Sequence, residues 1–552
     1  MTAQQQQAMD SLYALDNIVT VRITMPPGEW DAVRNEQPRG GRCNFDWRDG
    51  ARYTWRTATK VEISGTRFPP RTTFTKVGIK KKSFCGSINS NKPCLHIDFG
   101  KDNKPNRPLI EALIGTRYLT LNNSIQDASY VRQPLGYKLF ELSGLPHSRC
   151  NFARVFVNGT PIGQGLPGVN SPGVFVNAEP IMPRYIERNF QHTKGNLYEI
   201  EHTDDFSSSR IDFIGVESLS EFDDKADLRL AIDHLRAHGI DGAAEVFDLD
   251  QFIRLYAMEF FLKHWDGYSR NTNNTYVYNN VDAVHTPGID NVHFAMIPWG
   301  IDQTLQPDRH FLLGTEGRLA KLVRSDPTRR AQVLEQIRIY RSGIFGRKSQ
   351  DAVLIPMLEE MRATLSGLGV PNLPVEVGIV RKQLRLAMSA GYLAGGVDSA
   401  DSLYIRDDAT NDCMHVSSQP IPLDVPTPTN FEVTHRPRLA AEEDTDLWTL
   451  PALGDGQSIV NKASGKILHA STNLNSGPGH KLLYAGAGDN TGHADEFRVE
   501  PLDADPQNFS HSGYFSLVSV RTGLRARFGA DATASGAPRV HQEAQGSKLF
   551  LS

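Results

Sequence analysis

The chain of 552 residues is poor in cysteine: it has five, Cys43, Cys85, Cys94, Cys150 and Cys413. None of them shows the paired spacing of a zinc site. No apolar run approaches the length of a bilayer span. Charge of one sign is missing too, with 59 Lys and Arg against 63 Asp and Glu and a formal net charge of −4. That balance argues against a general binder of nucleic acid or anionic membrane, while leaving a local basic patch open. The start, MTAQQQQAMDSLYALD, lacks the basic-then-apolar pattern of a secretion signal. Either the protein stays inside or a leader is absent from this sequence. What is present is ordinary globular material, 39% hydrophobic and 22% charged, long enough for several domains. Cys85 and Cys94 bracket the polar loop GSINSNKP and would strap it in an exported chain. Five unrelated thiols is the equally open alternative.

Strand patterns dominate the first part of the chain and helical patterns the second. IVTVRITM and KVEIS alternate as strands, and FTKVGIKKKSFCGSINSNKPCLHIDFG predicts a hairpin around a Gly/Ser/Asn turn. A helix is expected over 127–142, opening on Asp127 as its cap. NFARVFVNGTPIG and GVFVNAEPI are further strands. From about residue 228 the period becomes helical, through DLRLAIDHLRAHG and DLDQFIRLYAMEFFLK, and again over 318–392. This is an α+β, two-lobed pattern. Residues 417–439 are Pro-rich without apolar periodicity, which predicts an extended linker. From about 457 the chain turns to Gly, Ala, Ser and short strands.

The junction between the two parts carries HWDGYSRNTNN, residues 264–274. Asp266 followed by Asn271 has the spacing of a kinase catalytic loop, where the Asp faces the accepting hydroxyl and the Asn helps hold magnesium. Asn273 and Asn274 add amide oxygens. YVYNN and VHFAMIPWGID follow as two short strands, and Asp302 at the end of the second is the natural further metal ligand. Asn/Asp-rich loops are also common turn material, so spacing alone leaves both readings open. His264, at the helix end, fits a packed residue or a C-terminal cap better than a base.

The chain resembles the CotH kinase family, named for a spore coat protein. The resemblance rests, in order, on VGIKKKSF with NKPCLHIDF, RYLTLNNSIQDASYVRQPLGYKLFELSGLPHSRCNFARVFVNG, VFVNAEPIMPRYIERNF, GNLYEI, the Asp266 loop and FAMIPWGIDQT. It covers roughly residues 18–395. It implies an atypical two-lobed protein-kinase-like fold, ATP with Mg2+ or Mn2+ as cofactors, and phosphoryl transfer to protein Ser or Thr. Asp266 then matches the catalytic Asp, with Asn271 and Asp302 on the metal. The family's W-D-x-D appears as W-G-I-D, so Gly300 stands where its first Asp would be. For the phosphate-binding lysine the resemblance offers Lys92, with Lys82 as the alternative; a run such as KKK is also a common solvated strand edge. Glu179 falls near an adenine-contacting hinge or is structural.

Residues 457–552 hold two similar units, SIVNKASGKILHAST to ADEFRVEPL and YFSLVSVRTGLRARFGAD to SKLFLS. They resemble the β-trefoil repeat of ricin-type lectins or fascin-like modules, of which three make a full trefoil. The aromatic close is altered at Asp495–Phe497 and Lys548–Phe550, and His469 and Arg527 stand where the sugar-gripping Asp is expected. The expected organisation is an extension over 1–17, a kinase-like domain over 18–412, a linker over 413–456 and a small all-β, partial β-trefoil-like module over 457–552. The functions implied are an ATP-dependent protein kinase with a targeting module, a pseudokinase-like binding or adhesion protein, or a kinase fold transferring AMP. The partners implied are a protein substrate and a carbohydrate or surface ligand, with no nucleic acid and no transmembrane segment. Family and module favour secretion or the cell surface.

Overall fold

A computed structural model describes residues 1–46, 51–217, 220, 222, 224–395, 402–420, 431–437, 446–450, 458–477, 480–486, 496–505, 510–532 and 537–551. The fold is α+β and divides into two compact units. The first comprises Met1–Gln306, Leu313–Val333 and Asp351–Arg381; the second comprises Pro307–Leu312, Leu334–Gln350 and Lys382–Ser552.

The first unit begins with helix α1, Ala3–Leu12, capped by Thr2. Strand β1, Ile18–Thr24, and helix α2, Pro27–Asn35, follow. Then come β2 (Arg56–Gly65), β3 (Phe68–Lys81), β4 (Leu95–Asp98), helix α3 (Asn106–Ile114) and β5 (Tyr118–Asn122). Helix α4 spans Arg132–Leu142, and β6 (Cys150–Val157), β7 (Thr160–Pro161) and β8 (Val174–Ala178) complete the sheet. Its order is β1-β2-β3-β4-β5-β8-β6-β7, and β1 also pairs parallel with β6, which closes it into a barrel. Closure leaves only the two-residue β7 at an edge, and alternate residues fill the interior. Val19, Val21, Ile23, Val61, Ile63, Val77, Ile97 and Leu119 make that core. Met9, Leu12 and Tyr13 join it, so residues 1–17 are part of the packed unit rather than an extension.

Helix α4 starts at Arg132, five residues later than its expected beginning at Asp127. Tyr130 takes a left-handed backbone, φ 61°, which no helix interior tolerates. Asp127 instead heads the preceding turn, accepting from the Ser129 and Arg132 amides.

Helix α5 (Pro183–Asn189), β9 (Leu197–Ile200) and β10 (Gly215–Val216) lead to the long helix α6 (Ala226–Val246). Helix α7 (Leu249–Leu262) and the short helix α8 (Tyr268–Asn271) precede β11 (Thr275–Asn279) and β12 (Phe294–Pro298). These four strands form a second sheet in the order β10-β9-β11-β12. Asp248 caps α7, and nearly every later residue of that helix is buried, as its apolar run implies. Gln251 ties α7 to β12, donating to the Met296 carbonyl at 2.7 Å and accepting from the Met296 amide at 3.1 Å.

The second unit is mostly a sheet of thirteen strands lying between Ser402 and Leu551. The segment expected to be a linker is partly inside it. Asp412–Pro420 pairs antiparallel with Phe431–Pro437, which also pairs with His480–Gly486 and Pro538–Glu543. Its prolines Pro420 and Pro437 sit at the last positions of their strands, where a missing N–H costs little. Trp448–Thr449 is a further paired strand within the expected linker, while 421–430, 438–445 and 451–456 lie outside the described residues. Among the described residues no helix is long and apolar enough to cross a membrane.

Candidate active site

The Asp266 loop is built from the end of α7 inward. Lys263 closes that helix in a left-handed conformation, φ 51°, and turns the chain back under it. Glu259 of α7 then reaches the start of α8: its carboxylate accepts from the Tyr268 and Ser269 amides, each at 3.1 Å. Those amides have no intrahelical partners, so a buried acid is held there by the start of the helix. Burial pushes the Glu259 pKa up to about 7 against those bonds. His264 lies beneath the loop, and burial pushes it down to about 4, with Asp266 pulling it the other way. It is a packed neutral imidazole, as expected.

Asp266 is the hub of the loop. Its Oδ1 accepts from Asn271 Nδ2 at 2.6 Å and Asn273 Nδ2 at 3.0 Å. Its Oδ2 accepts from Asn274 Nδ2 at 2.8 Å, and the same nitrogen reaches the Asp266 carbonyl at 2.9 Å. The three asparagines therefore act here as donors that fix one carboxylate, where the sequence suggested Asn273 and Asn274 as further oxygens. His202 and Thr203 hold the far side: the His202 ring bonds the Asn271 carbonyl at 3.0 Å and the Thr203 amide donates to Thr272 Oγ1 at 3.2 Å.

Asp302 is brought to the same place by β12. The Trp299 amide donates to the Asn274 carbonyl at 2.9 Å, so the strand end is pinned to the loop. Gly300 then turns left-handed, φ 55°, into the short 3-10 helix Ile301–Gln303 that carries Asp302. A Cβ at Gly300 would lie 2.0 Å from Asn274 Oδ1. The missing first Asp of W-D-x-D thus has a physical reason: Asn274 occupies its space. Gly300→Asp is expected to lower the melting temperature through about 1–2 kcal/mol of left-handed strain plus the clash, and to lower turnover by displacing Asn274. A variant as stable as wild type by thermal melting would refute this.

Asp302 is half-buried, and desolvation pushes its pKa up to about 6; Asn122 opposes that, while Asp127 and Asp266 add to it. The Trp299–Asn274 bond is what brings the Asp302 turn up against the Asp266 loop. Asn122 Nδ2 bonds Asp302 Oδ2 at 3.3 Å and Gln133 Oε1 at 3.3 Å. The donor chemistry suits a hard cation: a carboxylate and carboxamides, without imidazole or thiolate. Among the described residues no group of three or more His, Cys, Asp or Glu is gathered for a metal. A site of that kind fits an ion such as magnesium, which keeps waters and phosphate oxygens as its other ligands.

The lysines divide sharply. Lys82 is exposed, with its ammonium 5.2 Å from the centre of the Trp299 ring. Lys81 is buried and bonds the Arg34 and Glu36 carbonyls at the end of α2. Lys92 is 2% exposed, bonds the Tyr130 hydroxyl at 2.6 Å and faces the Tyr130 and Phe175 rings. Burial pushes its pKa down to about 7.

Glu179 is placed in a buried ion cluster. Arg149 and Arg188 pair with its two oxygens at 2.9 and 2.7 Å, and the Arg149 amide donates to it as well. Of the two readings of Glu179, adenine hinge or structural, this ion cluster supports the structural one, because both oxygens are committed to guanidinium groups. Cys85 pairs with Cys43 rather than Cys94, which is a free buried thiol beside Asn122. Asn122, Gln133, Glu259 and Trp299 went unassigned in the sequence. Asn122 and Gln133 lie in the stretch that carries the family resemblance, which was the one available signal.

In the second unit, His469 is buried and stacked on Tyr484, and Arg527 pairs with Glu543 at 2.9 Å. Asp495 lies outside the described residues.

Residues 83–356 match the family model described as CotH kinase protein. No curated protein matches the chain. Among solved structures, a Caenorhabditis elegans protein of unknown function is similar at 14% identity and TM-score 0.23, over 28% of this chain and 94% of that one. The BEL β-trefoil in an apo form is similar at 16% and 0.20, over 28% and 94%. A Polyporus squamosus lectin bound to a sialylated epitope is similar at 12% and 0.21, over 28% and 49%. Likenesses this slight carry no argument about fold or ligand.

Proposed function

We propose that the first unit is a two-lobed, kinase-like enzyme that moves the γ-phosphoryl of ATP to a protein Ser or Thr with Mg2+ or Mn2+. One observation carries this reading: within the segment that matches the CotH kinase model, Asp266 is fixed by three carboxamides, one of which, Asn274, also anchors the strand end that leads to a second acid, Asp302. Asp266 would face the accepting hydroxyl and take its proton. Asp302 and Asn271 would hold the cation, which when bound neutralises charge on the phosphates. Lys82, exposed beside Trp299, is the better candidate for the phosphates than the sealed Lys92. The Cys43–Cys85 pairing supports an oxidising, exported setting. We assign the second unit a targeting role and a β-trefoil-related architecture; the paired strands between Ser402 and Thr449 support a third unit beside the two seen in the sequence. The positions of His469 and Arg527 favour docking over sugar binding.

The test is incubation of the full chain with ATP labelled separately on the α- and γ-phosphates, with magnesium or manganese, and mass spectrometry of any modified residue. Label from γ on Ser or Thr is expected. Label from α would replace the reading with AMP transfer, and no label from either would favour a binding protein.

A further inference from the structure

Asn122 is the last residue of β5, 180 positions before Asp302 in the chain, yet its side chain meets the carboxylate that the proposed reaction needs. Which end of the carboxamide faces Asp302 is settled by its other partners. The Ser124 amide donates to Asn122 Oδ1 at 2.9 Å, and the Cys94 thiol approaches the same oxygen at 3.9 Å. With two donors on the oxygen, the Nδ2 end must point the other way. There it meets two acceptors, Asp302 Oδ2 and Gln133 Oε1. Gln133 is buried on α4, so the amide is locked between the barrel and that helix. Ser124 itself is held left-handed, φ 52°, which keeps its N–H aimed at Asn122.

We propose that Asn122 is a positioning residue for the cation site: it fixes the rotamer of Asp302 and supplies the hydrogen bond that keeps its carboxylate turned toward the nucleotide's metal. The inference rests on the reading of Asp302 as a metal ligand. Partners that orient a ligating carboxylate are worth roughly 10–100-fold in metal affinity. An isolated neutral donor would do little; this one is preorganised by Ser124, Cys94 and Gln133, so it does not have to be ordered when the ion arrives.

The experiment is titration calorimetry of ATP binding to the full chain at a series of magnesium concentrations. For Asn122→Ala, the magnesium needed for half-maximal ATP binding is expected to rise about tenfold or more, with ATP affinity at saturating magnesium within a few-fold of wild type. Gln133→Ala keeps Asn122 but frees its amide, and is expected to shift the magnesium requirement in the same direction by less. It serves as the reading should Asn122→Ala fold poorly. Asp302→Asn separates the two levels of argument. If it abolishes magnesium dependence while both other variants leave the requirement unchanged, Asn122 is not a positioning residue and the metal reading survives. If Asp302→Asn has no effect on magnesium dependence, the metal reading itself falls. Loss of ATP affinity in Asn122→Ala at every magnesium concentration would also overturn the inference, by making Asn122 a nucleotide contact or a fold element.

Discussion

Asp266→Asn is expected to cut phosphoryl transfer by roughly the 10²–10⁴ of a positioned general base, while ATP–magnesium affinity stays within a few-fold. The two expectations separate because the residue is read as facing the accepting hydroxyl and not as gripping the nucleotide. The substitution is close to isosteric but not silent. Three Asn side chains donate to the Asp266 carboxylate. An Asn there must present one amide nitrogen to groups that are themselves donors, leaving at least one of them without an acceptor. The cost is about 1–3 kcal/mol, seen as a lowered melting temperature. Turnover must therefore be measured well below the variant's transition, with ATP affinity as the check that the site is intact. Transfer that persists, or ATP binding that disappears, would mean that HWDGYSRNTNN is not a catalytic loop.

How much of this was legible in the sequence depends on the reach of each contact. The Asp266 loop, α7 before it and the two strands after it are local features, and periodicity with spacing found all of them. The Asp302 turn was visible as the end of a strand. What escaped are contacts made across the fold. Asn122 meets Asp302 from the barrel, and nothing local distinguishes it from its neighbour Asn123, which bonds the Ser87 and Lys92 carbonyls instead. The motif put Lys92 ahead of Lys82, and tertiary burial of Lys92 reverses that order. The pairing of Cys85 with Cys43 joins a loop to a segment 42 residues away, which proximity in sequence cannot suggest. Prolines hid the strands at 412–420 and 431–437, since Pro counts against a strand by propensity although it is tolerated at a strand's end. Helix α4 was found, but its start was misplaced because the left-handed Tyr130 has no sequence signature.

Glu179→Ala is expected to destabilise the full chain by about 3–5 kcal/mol, the range for breaking a buried ion cluster by removing one partner. Glu179 is 1% exposed, and its loss would strand Arg149 and Arg188, which are themselves largely buried. Burial acts to raise the Glu179 pKa, but Arg149 and Arg188 outweigh it and the net shift is downward. A carboxylate whose folded pKa lies below its unfolded value contributes stability that is present above the unfolded pKa, near 4.3, and is lost as pH falls through the folded one. The gap in stability between wild type and Glu179→Gln, read by denaturant unfolding, should therefore be full at neutral pH and shrink as pH drops below about 4. The same variant decides between the two roles that the sequence left open. An adenine-contacting Glu179 would lose ATP affinity with little change in unfolding. The ion cluster predicts the reverse: marked loss of stability, with ATP affinity of the folded protein unchanged at low temperature. A Glu179→Gln protein that unfolds like wild type but binds ATP poorly would return Glu179 to the nucleotide site and remove the structural role argued from Arg149 and Arg188.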